Sequence, residues 1–272
     1  MILKDLIYTQ NLELSSEYDV LESIYLSTGN SWVVQWHFLG DGSTNYCNDF
    51  EGVTCTEVVD IGERVTGLVL DNFNLYKFIQ DSDLIGLPYL TTLSIEDNPY
   101  MTGTIPPAIG SLSSLQYLRL RNGELTGTIP TEIASLTSLK ELDLSLNDIN
   151  GTIPSEFGLM SLQTLNIIGA SLSGTLPPEL GLMTNIEVLD LEGNLLNGTI
   201  PTEFGNLQTL TYLDLEALDL TGALSSEIGF LTNLSTLQLN RNSLSKSMCI
   251  RYGSTYNSNI DFVTQGEVYL QN

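Results

Sequence analysis

The stretch LKELDLSLNDINGTIP, residues 139–154, is where the fold can be read. It has leucine at 139, 142 and 144, asparagine at 147, glycine at 151 and proline at 154. The same order returns in IEVLDLEGNLLNGTIP at 186–201 and, more loosely, on either side of both. Segments opening as L-x-x-L-x-L begin at Leu90, Leu115, Leu139, Leu162, Ile186, Leu210 and Leu234, 23 to 25 residues apart. Asn98, Asn147, Asn194 and Asn242 lie eight residues after the opening position, and Gly123, Ala170 and Leu218 take that place in the repeats between. Gly103, Gly127, Gly151, Gly174, Gly198 and Gly222 follow, with Pro106, Pro130, Pro154, Pro177 and Pro201 three residues behind and Ser225 in the last unit. A weaker first unit can be read at Val65, Leu68 and Leu70. A fixed period of this length predicts a solenoid, in which each unit covers its neighbours.

Each element of the pattern has a physical role. Positions four and six of a unit point the same way from a short strand, so stacked units bury both leucines under a parallel sheet with a spacing of ~4.8 Å. The asparagine side chain can replace backbone partners lost where the strand ends. Gly-x-Ile-Pro turns the chain onto the convex side, since glycine permits unusual φ and proline fixes φ without needing a donor. Leu136 and Leu207, just before new strands, close the core from behind. A leucine-rich helical bundle is excluded, because nearly every unit carries a helix-breaking Pro and Gly.

The ends depart from the period. Residues 16–29 read as an amphipathic helix, with Ser16 as N-cap, Leu21, Ile24 and Tyr25 as the apolar face, and Gly29 as the stop. Trp32, Trp36 and the pair Cys47 and Cys55 follow. Together they would cover the open edge of the core, with Cys47 and Cys55 expected to join in a disulfide; the alternative is two free thiols. At the other end, NIDFVTQGEVYLQN suggests a hairpin cap. Cys249 is either free or paired beyond Asn272. The expected organisation is an N-terminal cap at 1–64, about eight units at 65–244, and a C-terminal cap at 245–272. The fold class is an α/β repeat solenoid with a parallel concave sheet.

Nine Lys and Arg against 33 Asp and Glu give a net charge of −24. That balance argues against nucleic acid, whose phosphates need clustered cations, and against anionic membranes. It favours cationic partners. No stretch approaches the ~20 apolar residues of a membrane span. The opening MILKDLIY is short for a signal peptide, so either a leader was removed or the chain does not leave the cell by that route.

The motif L-x-x-L-x-L-x-x-N-x-L-x-G-x-I-P, with LESIYLSTGNSW and CNDFEGVTC in the cap, resembles the plant-type leucine-rich repeat. It is similar to such proteins of plants, algae and other protists. The resemblance implies a curved or twisted right-handed solenoid with a second short sheet near the Gly-x-Ile-Pro segment. It also implies an extracellular or cell-surface location. Members of the family include receptor-kinase ectodomains, polygalacturonase inhibitors and ice-binding proteins, which usually bind peptides, proteins or glycans on the concave face. The chain departs from the receptors in carrying no membrane span or kinase, and from many members in its single C-terminal cysteine.

No catalytic, cofactor or metal motif is present in the sequence, and His37 reads as a packed cap residue. The expectation is therefore a non-catalytic recognition protein without cofactor or metal; the alternative is a structural subunit of an extracellular matrix or filament. Strand alternation puts Tyr117, Arg119, Arg121, Asp143, Asp190, Glu192, Tyr212, Asp214 and Glu216 on the concave face. Among them Tyr117, Arg119 and Arg121 read as a small basic patch. Asp190, Glu192, Asp214 and Glu216 read as an acidic square. The square is either a salt-screened, solubilising surface or a site for a Lys- or Arg-bearing ligand or a weakly held Ca²⁺. The threonines after the repeat glycines form a ladder, an arrangement that also suits ice. Asn150-Gly-Thr, Asn197-Gly-Thr and Asn233-Leu-Ser are glycosylation sequons.

Overall fold

The computed structural model describes residues 17–26, 47, 50–245 and, for the backbone alone, 261–263. The expectations for Ser16, Gly29, Trp32, Trp36, His37 and Cys249 lie outside these residues, as does most of the expected C-terminal hairpin. The part of that segment described, Asp261–Val263, is a strand parallel to Thr236–Gln238.

The repeats form the solenoid their period predicts. The concave sheet has ten strands. It opens with Val53–Val58 antiparallel to Gly62–Val69 and then runs parallel, one three-residue strand per repeat, from Thr92–Ser94 to Asp261–Val263. The register joins equivalent positions throughout: Leu93, Leu118, Leu142, Leu165, Leu189, Leu213 and Leu237 form one row. All seven are buried in a continuous core that takes in Leu136 and Leu207 behind and Leu21 and Ile24 of the N-terminal helix. On the convex side each proline, or Ser225, leads into a short 3-10 turn, from Pro107–Ser111 to Ser226–Phe230. Each turn contributes one large side chain to the core, such as Phe157 or Phe204. Between these two sides runs a flank of short parallel strands, including Asn150–Gly151, Ser171–Thr175, Leu195–Gly198, Asp219–Gly222 and Ser243–Leu244. Cys47 and Cys55 are joined in a disulfide, with Cα atoms 5.5 Å apart.

Two devices bind one repeat to the next. The first is the asparagine at every second repeat. Asn147 Nδ2 donates to the carbonyls of Leu120 and Leu144, and Asn194 Nδ2 to those of Ile167 and Leu191. Asn242 does the same with Leu215 and Leu239. One asparagine thus satisfies the strand-end carbonyls of two repeats, which is why Ala170 and Leu218 can stand at the positions between. The amide oxygens accept the N–H groups of Leu125, Leu172 and Leu220 in the preceding unit.

The second device is a left-handed residue just before that position in every repeat. Asn72, Asp97, Asn122, Leu146, Gly169, Gly193, Ala217 and Arg241 all have φ between 53° and 70°. The turn ends the strand and aims the residue's N–H at the next repeat. Leu146 donates to Ile168, Gly193 to Glu216 and Ala217 to Asn240. Seven such bonds, one per repeat junction, hold the conformation against the steric cost of a Cβ.

Candidate functional site on the concave face

The concave side chains stand where strand alternation expects. Tyr117, Glu141, Thr164, Val188 and Tyr212 form one row, and Arg119, Asp143, Asn166, Asp190 and Asp214 the next. Their environments differ from a simple display of exposed charges.

The aspartates fold back onto their own strands. Asp143 Oδ1 accepts the Ser145 N–H at 2.9 Å, Asp190 Oδ1 that of Glu192 at 3.1 Å, and Asp214 Oδ1 that of Glu216 at 2.9 Å. This leaves Asp190 only 8% and Asp214 only 1% exposed. Tyr212 donates its hydroxyl to Asp214 Oδ2 at 3.0 Å and accepts from Gln238 Nε2 at 3.0 Å. Asn240, itself buried, leans its amide towards Glu216 at 3.4 Å.

Asp190, Glu192 and Asp214 each present an oxygen within 4.8 Å of the others. Burial and mutual repulsion disfavour three negative charges so close together. Burial pushes Asp190 up to about 6, against the Glu192 amide bond that lowers it, and the charges of Asp214, Glu192 and Asp143 add to the rise. Burial also raises Glu192, with Asp214 and Glu216 adding to it and Arg241 pulling the other way. Asp214 is raised chiefly by burial, and the Tyr212 hydroxyl is pushed up to about 12 by burial and by Asp214. Across the strand from Asp190, the Asn166 Oδ1 is buried without a hydrogen-bond partner. Among the described residues, these three carboxylates are the group that converges closely enough for one cation to reach all three.

The expected basic patch is corrected. Arg119 forms a two-pronged ion pair with Glu141 of the next strand, both contacts 2.6 Å, and lies over the Tyr117 ring at 5.4 Å. Its charge is spent within the sheet, leaving the exposed Arg121 as the cation of this end. Towards the first repeats, Asp71 Oδ1 accepts from Ser94 Oγ and from the Glu96 N–H, both at 2.8 Å. Burial first, and then Asp71, raises Glu96. The concave surface is therefore acidic along most of its length.

Sequence reasoning missed Asp71, Gln238 and Asn240 as parts of these networks. Their positions follow from the repeat, but their hydrogen bonds cross between units and no single unit's pattern displays them. Asn150, Asn197 and Asn233 are all exposed, away from the concave strands.

A parallel concave sheet, leucine-lined core and asparagine ladder define a leucine-rich-repeat solenoid. Residues 114–136, 138–160 and 185–207 match the family described as Leucine Rich Repeat. The chain belongs to the plant-type branch of these proteins. It is similar to the ectodomain of the Arabidopsis thaliana membrane receptor kinase GASSHO1/SCHENGEN3, solved with CASPARIAN STRIP INTEGRITY FACTOR 2. The identity is 31% over 81% of this chain and 26% of that one, with a TM-score of 0.70. It is similar to the ectodomain of the Arabidopsis receptor kinase HAESA, solved with an extended IDA peptide hormone ligand. Here the identity is 28% over 93% of this chain and 42% of that one, with a TM-score of 0.74. A plant ice-binding protein, 24% identical over 86% of this chain and 87% of its own with a TM-score of 0.53, shares the fold. The chain spans about a quarter of the first receptor ectodomain and two fifths of the second. No curated protein matches it. Among the described residues, no helix is long and apolar enough to cross a membrane.

Proposed function

We propose that this chain is a non-catalytic, extracellular binding module, and that its concave sheet takes an extended peptide segment presenting lysine or arginine. The observation that carries this reading is the cluster of Asp190, Glu192 and Asp214. Three carboxylates are held within 4.8 Å on adjacent strands, two of them almost fully buried. A guanidinium or ammonium group placed there would offset the burial and the neighbouring negative charge that raise Asp190 and Asp214, and would bind in a partly desolvated site, where charge-assisted hydrogen bonds are strong. Tyr212 offers an amphipathic contact beside the cluster. The HAESA ectodomain above, solved with a peptide hormone ligand, supports the same use of the fold. The ion pair of Arg119 with Glu141 argues against a ligand with opposite charges at its two ends, since the N-terminal part of the face has little free positive charge.

The test is selection from a library of short random peptides. The native chain is compared with a variant carrying Asp190→Asn, Glu192→Gln, Asp214→Asn and Glu216→Gln. Enrichment of Lys- and Arg-bearing peptides by the native chain, lost in the variant and weakened by salt, is the expected result. Enrichment of no peptide class, or equal enrichment by both proteins, overturns the reading. Reversible self-assembly of the native chain in place of peptide capture would favour the structural-subunit alternative.

A further inference from the structure

We propose that Asn150 and Asn197 carry N-linked glycans, so that one flank of the solenoid is covered by sugar while the concave sheet stays open. Both asparagines begin an Asn-Gly-Thr sequon at the same position of the repeat, two units apart. Both are exposed on short flank strands, Asn150–Gly151 and Leu195–Gly198. Each is backed by a short hydroxyl residue of the preceding unit: Asn150 pairs with Thr128 and Asn197 with Thr175. No bulky side chain occupies that position in the neighbouring units, which have Thr126, Ser173 and Thr221. Neither asparagine makes a side-chain hydrogen bond among the described residues, so a sugar attached there breaks nothing in the fold.

Asn233, the third sequon, differs. Its Nδ2 donates to the Gln208 carbonyl at 2.7 Å, and Ser235 Oγ donates to the Thr211 carbonyl at 2.8 Å. Both side chains of that sequon already hold the preceding repeat, and the proposal stops at the first two.

The chemistry is transfer of an oligosaccharide from a lipid-linked diphosphate donor. The sugar C1–oxygen bond breaks, a bond from C1 to the asparagine Nδ2 forms, the amide loses one proton, and the lipid diphosphate leaves. Two repeats at ~4.8 Å each place the acceptors ~10 Å apart along the solenoid, so both glycans rise from one strip of the flank. The proposal rests on the extracellular reading above, and its test is arranged to separate the two.

The full chain is secreted from insect cells behind a supplied signal sequence. It is then trimmed with an endoglycosidase that leaves one N-acetylglucosamine on each modified asparagine, and its peptides are mapped by mass spectrometry. Conversion of asparagine to aspartate is not a suitable readout, because an asparagine followed by glycine deamidates on its own. Residual sugar is expected on the peptides containing Asn150 and Asn197, and Thr152→Ala and Thr199→Ala should each abolish it at their own site. Folded, secreted protein with a bare asparagine at either position overturns the proposal. Since secretion is supplied, that outcome would count against the modification and leave the natural location untouched.

Discussion

At the scale of single residues, the left-handed row is the most demanding feature of the chain. Asparagine, aspartate and glycine tolerate this conformation, and they fill Asn72, Asp97, Asn122, Gly169 and Gly193. Leu146, Ala217 and Arg241 adopt it against their Cβ, Leu146 and Ala217 held by the inter-repeat bond from their own N–H. The same exchange should therefore have opposite signs in neighbouring repeats. Ala217→Gly removes about 1–2 kcal/mol of strain, less the entropy glycine carries in the unfolded chain, for a net stabilisation of about 0.5–1 kcal/mol. Gly193→Ala, at the same position with φ of 70° and only ordinary contacts around the new methyl, should destabilise by a similar amount. Urea denaturation measures both, and two shifts of the same sign would show that the row is not under steric strain.

At the scale of the repeat, the asparagine ladder explains an irregularity in the sequence. Asn98, Gly123, Asn147, Ala170, Asn194, Leu218 and Asn242 alternate because each full ladder asparagine reaches the strand-end carbonyls of two units. Asn194→Ala would strip partners from the buried Ile167 and Leu191 carbonyls and from the Leu172 N–H. We expect a loss of about 2–3 kcal/mol, since unsatisfied buried polar groups cost more than a made bond contributes. Exchanging Ala170 for glycine, at a position the ladder skips, should cost far less. Thermal melts of the two variants decide the matter, and equal losses would mean that the ladder is incidental to stacking.

At the scale of the whole molecule, acid residues crowd a surface whose net charge is −24. Asp190 is held near 6, and Glu96, Glu192 and Asp214 are raised as well. A carboxyl group whose value is higher in the folded chain than in the unfolded one binds its proton more tightly when folded. Its contribution to stability is complete below the ordinary carboxylate range and is lost as the pH rises through the folded value. Melting temperature should therefore increase by about 2–4 °C on going from about pH 7.5 to pH 5, with Asp190→Asn flattening the change. Added salt at neutral pH should act in the same direction by screening the repulsion. Calorimetry across this range measures the effect, and a melting temperature that falls steadily with acidification would contradict the sign.

The sequence by itself determined the solenoid, the register of its strands and which side chains face the core. These depend on a local period and on strand alternation, both carried within each unit: Leu189 and Asp190 differ by one residue and therefore by a face. It also marked the concave rows and the flank sequons, because a repeated position is a position in space. Only the tertiary structure decided what the concave side chains do. Arg119 is neutralised by a residue 22 positions away, and the aspartates turn back onto backbone amides. Tyr212 joins Gln238 from the next strand. Leu146 and Ala217 accept a backbone conformation their side chains disfavour. Each of these outcomes depends on what the adjacent unit presents at the same height, and in a stack of near-identical units the contacts between neighbours, absent from any one unit's pattern, set charge, burial and strain.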